Sequence, residues 1–188
     1  MQELPYILSV AVRMALSLCI LKKPFWGMVL ALLGDNIDIH IMRLGSGYMG
    51  FEFRWDWYQY IDKCLDIFMS LIALRVGLGF EDPLARKVTL GLFIFRAIGV
   101  GLFLVFGLRW ILFVFPDLFE FFFLIYTGML RFFPHIHPTR QQFIFGLSFL
   151  LAPKLYHEYG LHILPIPPWT PLFNTIKSYF LRIYTYFL

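Results

Sequence analysis

The sequence predicts an all-α, polytopic membrane protein with six transmembrane helices and an interfacial C-terminal tail. Three observations carry this. Of the 188 residues, 60% are hydrophobic and 20% aromatic. Only 15% are charged, against roughly 25% in an ordinary soluble domain. The apolar residues also fall into runs of about 20, the length a helix needs to cross roughly 30 Å of hydrocarbon. A soluble domain must cover itself with polar groups, and this chain has too few to hide so much apolar surface. The same composition excludes a disordered chain, a coiled coil, a nucleic-acid-binding domain and an ordinary soluble enzyme. The mean hydropathy is +0.71. A formal charge of +4 suits contact with anionic lipid headgroups and implies no nucleic-acid partner.

The first predicted span covers 6–21 and stops at Lys22-Lys23-Pro24. Ahead of it stand neither the basic residues nor the small-residue cleavage site of a secretory signal, so it reads as a helix that stays. The second span opens at Pro24, whose missing N–H suits a first helical turn, and runs to 43. The third covers 58–78 and ends in the turn Gly79-Phe80-Glu81-Asp82-Pro83. The fourth covers 84–106, and the fifth covers 109–133 with Pro116, Asp117 and Glu120 inside it. Pro134-His135-Ile136-His137-Pro138 is the next break, and the sixth span covers 140–159. These spans form a membrane domain over 1–163. Residues 164–188 begin with a Pro-rich turn and continue as an aromatic stretch carrying Lys177 and Arg182, read as an amphipathic helix lying in the interface. Lys and Arg occupy nearly every connection, so the positive-inside rule selects no orientation. Cys19 and Cys64 lie in apolar segments without a Cys-x-x-Cys spacing, which argues against a disulfide framework and a thiolate metal site.

Charge inside a membrane is costly and is kept where something pairs with it. Asp35 and Asp38 are three residues apart at the end of the second span, and Asp62 and Asp66 are four apart at the start of the third. Each pair shares a helix face, and a loop of about fifteen residues between the two helices predicts that they pack as antiparallel neighbours. Four carboxylates would then converge. Mutual repulsion favours either protonation or a bound cation, and oxygen-only ligands favour Mg²⁺, Mn²⁺ or Ca²⁺ over zinc. One or two such ions suit phosphoryl transfer, with Arg43 on roughly the face of Asp35 as a clamp for a phosphate. The plainer account is a set of ion pairs, such as Asp62 with Lys63, in a solvated region.

At these residues the sequence resembles the CDP-alcohol phosphatidyltransferases, membrane enzymes of six transmembrane helices. Their signature is Asp-x-x-Asp-Gly-x-x-Ala-Arg, a spacer, then Gly-x-x-x-Asp-x-x-x-Asp. Asp35-x-x-Asp38 matches the first pair, Arg43 the signature Arg, and Asp62-x-x-x-Asp66 the second pair. Arg96 resembles an Arg of the family's fourth helix, and Arg13 more loosely an early family Arg. Ile39, Met42 and Tyr58 stand where the signature has Gly, Ala and Gly, and the spacer is longer. The resemblance implies that Asp35, Asp38, Asp62 and Asp66 hold one or two Mg²⁺ or Mn²⁺ ions. It implies Asp66 as the general base that deprotonates an alcohol acceptor, which then attacks a CDP-linked donor and releases CMP. It also implies Arg43 and Arg96 as phosphate contacts, and phospholipid synthesis as the setting.

The alternative is a non-catalytic integral membrane subunit that retains this scaffold inside a homodimer or larger membrane complex. In its favour stand the replaced glycines, the 23 Phe residues and the aromatic tail. Asp117 and Glu120 also admit a transporter, but no internal repeat is visible, and pairing with Arg96 or Arg109 is the plainer account. His135 and His137 lack a third ligand, and His157 and His162 are one residue too far apart for a zinc-protease helix.

Overall fold

The protein is described from a computed structural model, in which residues 4–49, 55–135 and 138–162 are defined. Those residues form seven α-helices and no strand: α1 Leu4–Lys22, α2 Pro24–Met49, α3 Trp55–Gly77, α4 Pro83–Phe106, α5 Trp110–Val114, α6 Phe119–Phe132 and α7 Arg140–His162. The predicted tail, 164–188, lies outside the described residues.

Sequence features set the helix ends. Only Lys23 separates α1 from α2, and Pro24 begins α2 as the missing N–H allows. Asp82 caps α4 by accepting the Leu84 N–H at 2.7 Å, with Pro83 in the first turn. Gly107 ends α4 in the left-handed region, φ 68°, where a residue with a Cβ would be strained. α6 stops at Phe133, just before Pro134.

The predicted fifth span is not one helix. It is broken into α5 and α6 around Phe115-Pro116-Asp117. Proline removes a donor and its ring clashes with the preceding turn, so the ladder cannot continue through it. At the break the Phe115 carbonyl, which has no helical N–H to accept from, accepts from Arg96 Nη1 of α4 at 2.9 Å. A freed backbone group is thus satisfied by a neighbouring helix.

Close approach at the break depends on Gly99. A Cβ there would lie inside the van der Waals shell of the Phe115 side chain, 2.7 Å from its Cγ. Gly99→Ala is therefore expected to destabilise the protein by about 1–3 kcal/mol, the usual cost of overpacking. Thermal unfolding in detergent measures it, and an unchanged midpoint would show that α4 and the break are not in tight contact.

α1 packs against α2 and α3, α3 against α4, and α6 against α2, α3 and α4, while α5 touches α4 and α7. At one end an aromatic core joins Phe80, Phe119, Phe122, Phe123, Tyr126 and Phe143. Phe80 and Tyr126 rings lie 4.7 Å apart, and Phe122 and Tyr126 stack at 5.8 Å. Part of the Phe abundance is therefore core. A smaller apolar cluster of Val100, Phe103 and Leu112 lies towards the other end.

The distribution of polarity is inverted relative to a soluble protein. Arg13, Asp38, Asp66, Arg96 and Asp117 are buried, whereas Val105, Phe145 and Phe149 are 77%, 73% and 72% exposed. Among the described residues two segments, Pro83–Phe106 and Trp110–Phe132, are long and apolar enough to cross a membrane.

Candidate functional site

Between the two apolar clusters lies a layer of charge built from α1, α2, α3 and α4 with the α5–α6 break. At its centre is Arg13 of α1, only 6% exposed. Its Nη1 donates to Asp62 Oδ1 at 2.8 Å and its Nη2 to Asp66 Oδ1 at 3.0 Å. Nη2 also pairs with Asp35, and Nη1 lies 3.7 Å from Asp38 Oδ2. One planar guanidinium thus faces carboxylates from two helices, the fork geometry for which Arg is suited.

Both acidic pairs sit where their spacing predicts. Asp35 and Asp38 occupy one face of α2, and Asp62 and Asp66 one face of α3, because residues three and four apart are neighbours on a helix surface. Oxygens of Asp35, Asp62 and Asp66 all lie within 4.8 Å of one another. Asp38 is not part of that triad. Its Oδ2 accepts the Tyr58 hydroxyl at 3.1 Å, so the residue at the signature's Gly position fills the space beside this carboxylate.

Two further cations complete the layer. Lys63 Nζ lies 2.8 Å from Asp62 Oδ2 and donates to Asp66 Oδ2 at 2.6 Å, bridging the α3 pair. Arg96, 3% exposed, has its Nε 3.1 Å from Asp117 Oδ2 and its Nη2 4.0 Å from Asp66 Oδ2. Arg96 therefore reaches from the helix break to the acidic site through its own side chain. Asp117 Oδ1 in turn accepts the Glu120 N–H at 3.3 Å, which helps start α6. The side chain of Arg43, the predicted donor-phosphate contact, lies outside the described residues, as do those of Ile39, His40 and Met42.

No family model, curated protein or solved structure matches this chain. Among the described residues the ion-paired network holds three basic groups, Arg13, Lys63 and Arg96, against five carboxylates, Asp35, Asp38, Asp62, Asp66 and Asp117. With the carboxylates ionised, two negative charges are in excess, the charge one divalent cation would neutralise. Oxygen donors on two helices suit a hard cation, whose shell waters and phosphate oxygens would complete. Arg13 touches the same three carboxylates, so cation and guanidinium would share ligands.

The four aspartates and the Asp62–Lys63 ion pair are legible in the sequence, and the structure shows that pair at 2.8 Å; the place of Arg13 among them is not. Arg13 is the one charged residue between Leu4 and Leu21, and a lone cation in an apolar run calls for an acidic partner. Lys63 lies one residue after Asp62 and three before Asp66, a spacing that also announces the bridge.

Proposed function

We propose that the chain is a multi-pass membrane protein whose buried acidic hub binds a divalent cation and serves phosphotransfer of the CDP-alcohol phosphatidyltransferase type. On this reading six segments cross the bilayer: α1, α2, α3, α4, the broken α5–α6 unit and α7. The inverted polarity supports the membrane part. The observation that carries the function is the convergence of Asp35, Asp62 and Asp66 from two helices.

Asp35 and Asp62 would hold Mg²⁺ or Mn²⁺ together with Asp66, and Asp38 supports them from beside Arg13. A bound cation would supply charge neutralisation at the pyrophosphate of a CDP-linked donor. Asp66 accepts the proton of the acceptor alcohol. The alcohol oxygen forms its bond to the donor phosphorus as the bond from phosphorus to the CMP oxygen breaks, and CMP leaves with the electron pair. Arg43 grips a donor phosphate. Arg96, placed by Asp117 and the Phe115 carbonyl, serves to orient Asp66 in place of the phosphate contact that the family resemblance implies. The catalytic contribution is positioning and electrostatics.

One observation favours the second reading, a non-catalytic membrane subunit: Arg13 and Lys63 already engage the carboxylate oxygens, and Tyr58 fills the space at Asp38. Cation binding separates the two. Mn²⁺ binding to the purified full chain in detergent, followed by electron paramagnetic resonance, is expected to be saturable. Asp62→Asn is expected to weaken it by at least about tenfold, the scale of losses at metal-site partners. Equal binding by wild type and variant would remove the metal site. Binding without CMP release from CDP-diacylglycerol, whichever of glycerol phosphate, inositol phosphate or choline is supplied, would leave the subunit reading.

A further inference from the structure

At the C-terminal end of α1, about 15 Å along the helix from Arg13, lies a pocket of about 350 Å³. It is lined by Lys23, Phe25, Trp26, Phe80, Thr127 and Arg131 among others. Aromatic and aliphatic side chains share the lining with two exposed basic ones. Phe25 meets Trp26 and Phe132 edge-on at 5.0 and 5.2 Å, and the Arg131 guanidinium stands 5.9 Å from the Trp26 ring.

Lys23 and Arg131 differ from the cations of the hub. Among the described residues neither has a carboxylate within ion-pair distance, whereas Arg13, Lys63 and Arg96 all do. Both are exposed, as is Trp26. Two acids, Glu81 and Asp82, follow Phe80 in the turn before α4; Asp82 caps that helix, and among the described residues neither is within ion-pair distance of Lys23 or Arg131. The pocket therefore combines unneutralised positive charge, a tryptophan at a helix end, and apolar walls continuous with the exposed surfaces of Leu130 and Phe132. Tryptophan at such a level marks the membrane interface, and basic pockets between membrane helices hold anionic headgroups.

We propose that this pocket binds the phosphate of an anionic phospholipid headgroup between Lys23 and Arg131, with the acyl chains along Leu130 and Phe132. The site rests on the membrane reading given above and is independent of the cation hub. Thr127 spends its hydroxyl proton on the Phe123 carbonyl at 2.7 Å, so the headgroup charge falls to the two basic side chains.

Native mass spectrometry of the full chain in mild detergent tests this, titrating phosphatidylglycerol against phosphatidylcholine of identical acyl chains. The expected result is selective retention of phosphatidylglycerol. The double change Lys23→Gln, Arg131→Gln is expected to weaken that retention roughly thirtyfold, as for two basic groups lost at an anionic surface. Both side chains are exposed, so circular dichroism should be unchanged. The charge-preserving pair Lys23→Arg, Arg131→Lys should keep the preference. Arg86→Gln with Lys87→Gln, a basic pair near the start of α4, should also keep it.

Undiminished selectivity in the Gln pair, or an equal loss in the α4 pair, overturns the proposal. So does displacement of the lipid by millimolar inorganic phosphate alone, which would make this a free-phosphate site. Release of the chain from membranes by alkaline carbonate would overturn the membrane reading and the lipid site together. Carbonate resistance without lipid selectivity removes the pocket proposal only.

Discussion

Replacing Arg13 with Met is expected to lower the stability of the detergent-solubilised protein by about 3–5 kcal/mol, the cost of removing one partner from a buried ion-paired cluster. The size of the effect follows from position. The guanidinium is the one group that touches Asp35, Asp62 and Asp66 together, and without it four carboxylates face each other across α2 and α3. Arg13→Lys keeps the charge and loses the planar fork, so an intermediate loss is expected. Denaturant titration in mixed micelles measures both. The Met variant carries a second expectation of opposite sign: Mn²⁺ should bind it more tightly than wild type, because the guanidinium no longer competes for the same oxygens, and should restore part of the lost stability. An unchanged unfolding midpoint would show that Arg13 does not hold the hub. Loss of stability with unchanged Mn²⁺ affinity would show that guanidinium and cation do not compete.

Asp117→Ala is expected to cost a comparable 3–5 kcal/mol, roughly, since it removes the nearest carboxylate from the buried Arg96 guanidinium and leaves Asp66 at 4.0 Å. Arg96 and Asp117 are 3% and 2% exposed and lie 3.1 Å apart. Replacing both, Arg96→Met with Asp117→Leu, should cost less than either single change, because no buried charge is then unpaired. What remains is the orphaned Phe115 carbonyl, worth about 1–3 kcal/mol. A double-mutant cycle reads this coupling directly. Strict additivity of the two single changes would show that the pair is not one energetic unit.

Much of the fold is legible from hydropathy and from a few turn residues. The ends of α1, α2 and α4 fall at Lys23-Pro24 and Asp82-Pro83, because proline and a capping carboxylate act locally and need no tertiary context. The break in the fifth segment is different. Pro116 and Asp117 are visible in the sequence, but a proline within an apolar run is tolerated when a neighbour satisfies the freed carbonyl. Whether the helix bends or breaks therefore depends on Arg96 and Gly99, which belong to another helix.

The acidic site divides the same way. Spacing places Asp35 with Asp38 and Asp62 with Asp66, since helical periodicity is enough for that. Spacing says nothing about what stands between the pairs. The position of Arg13 follows from how α1 lies on α2 and α3, and that Asp38 turns to Tyr58 follows from the packing of α2 on α3. Both are tertiary facts that local pattern does not contain.

The α5–α6 break also bears on biogenesis, on the membrane reading proposed above. A segment carrying Pro116 and Asp117 in its middle is a poor candidate for entering the bilayer by itself: one carbonyl and one carboxylate would meet lipid with no counterpart. Arg96 has the matching defect in the helix just before it. Emerging from the ribosome in succession, the two segments can enter as a hairpin whose opposite charges cancel, so each acts as the other's escort through the translocon.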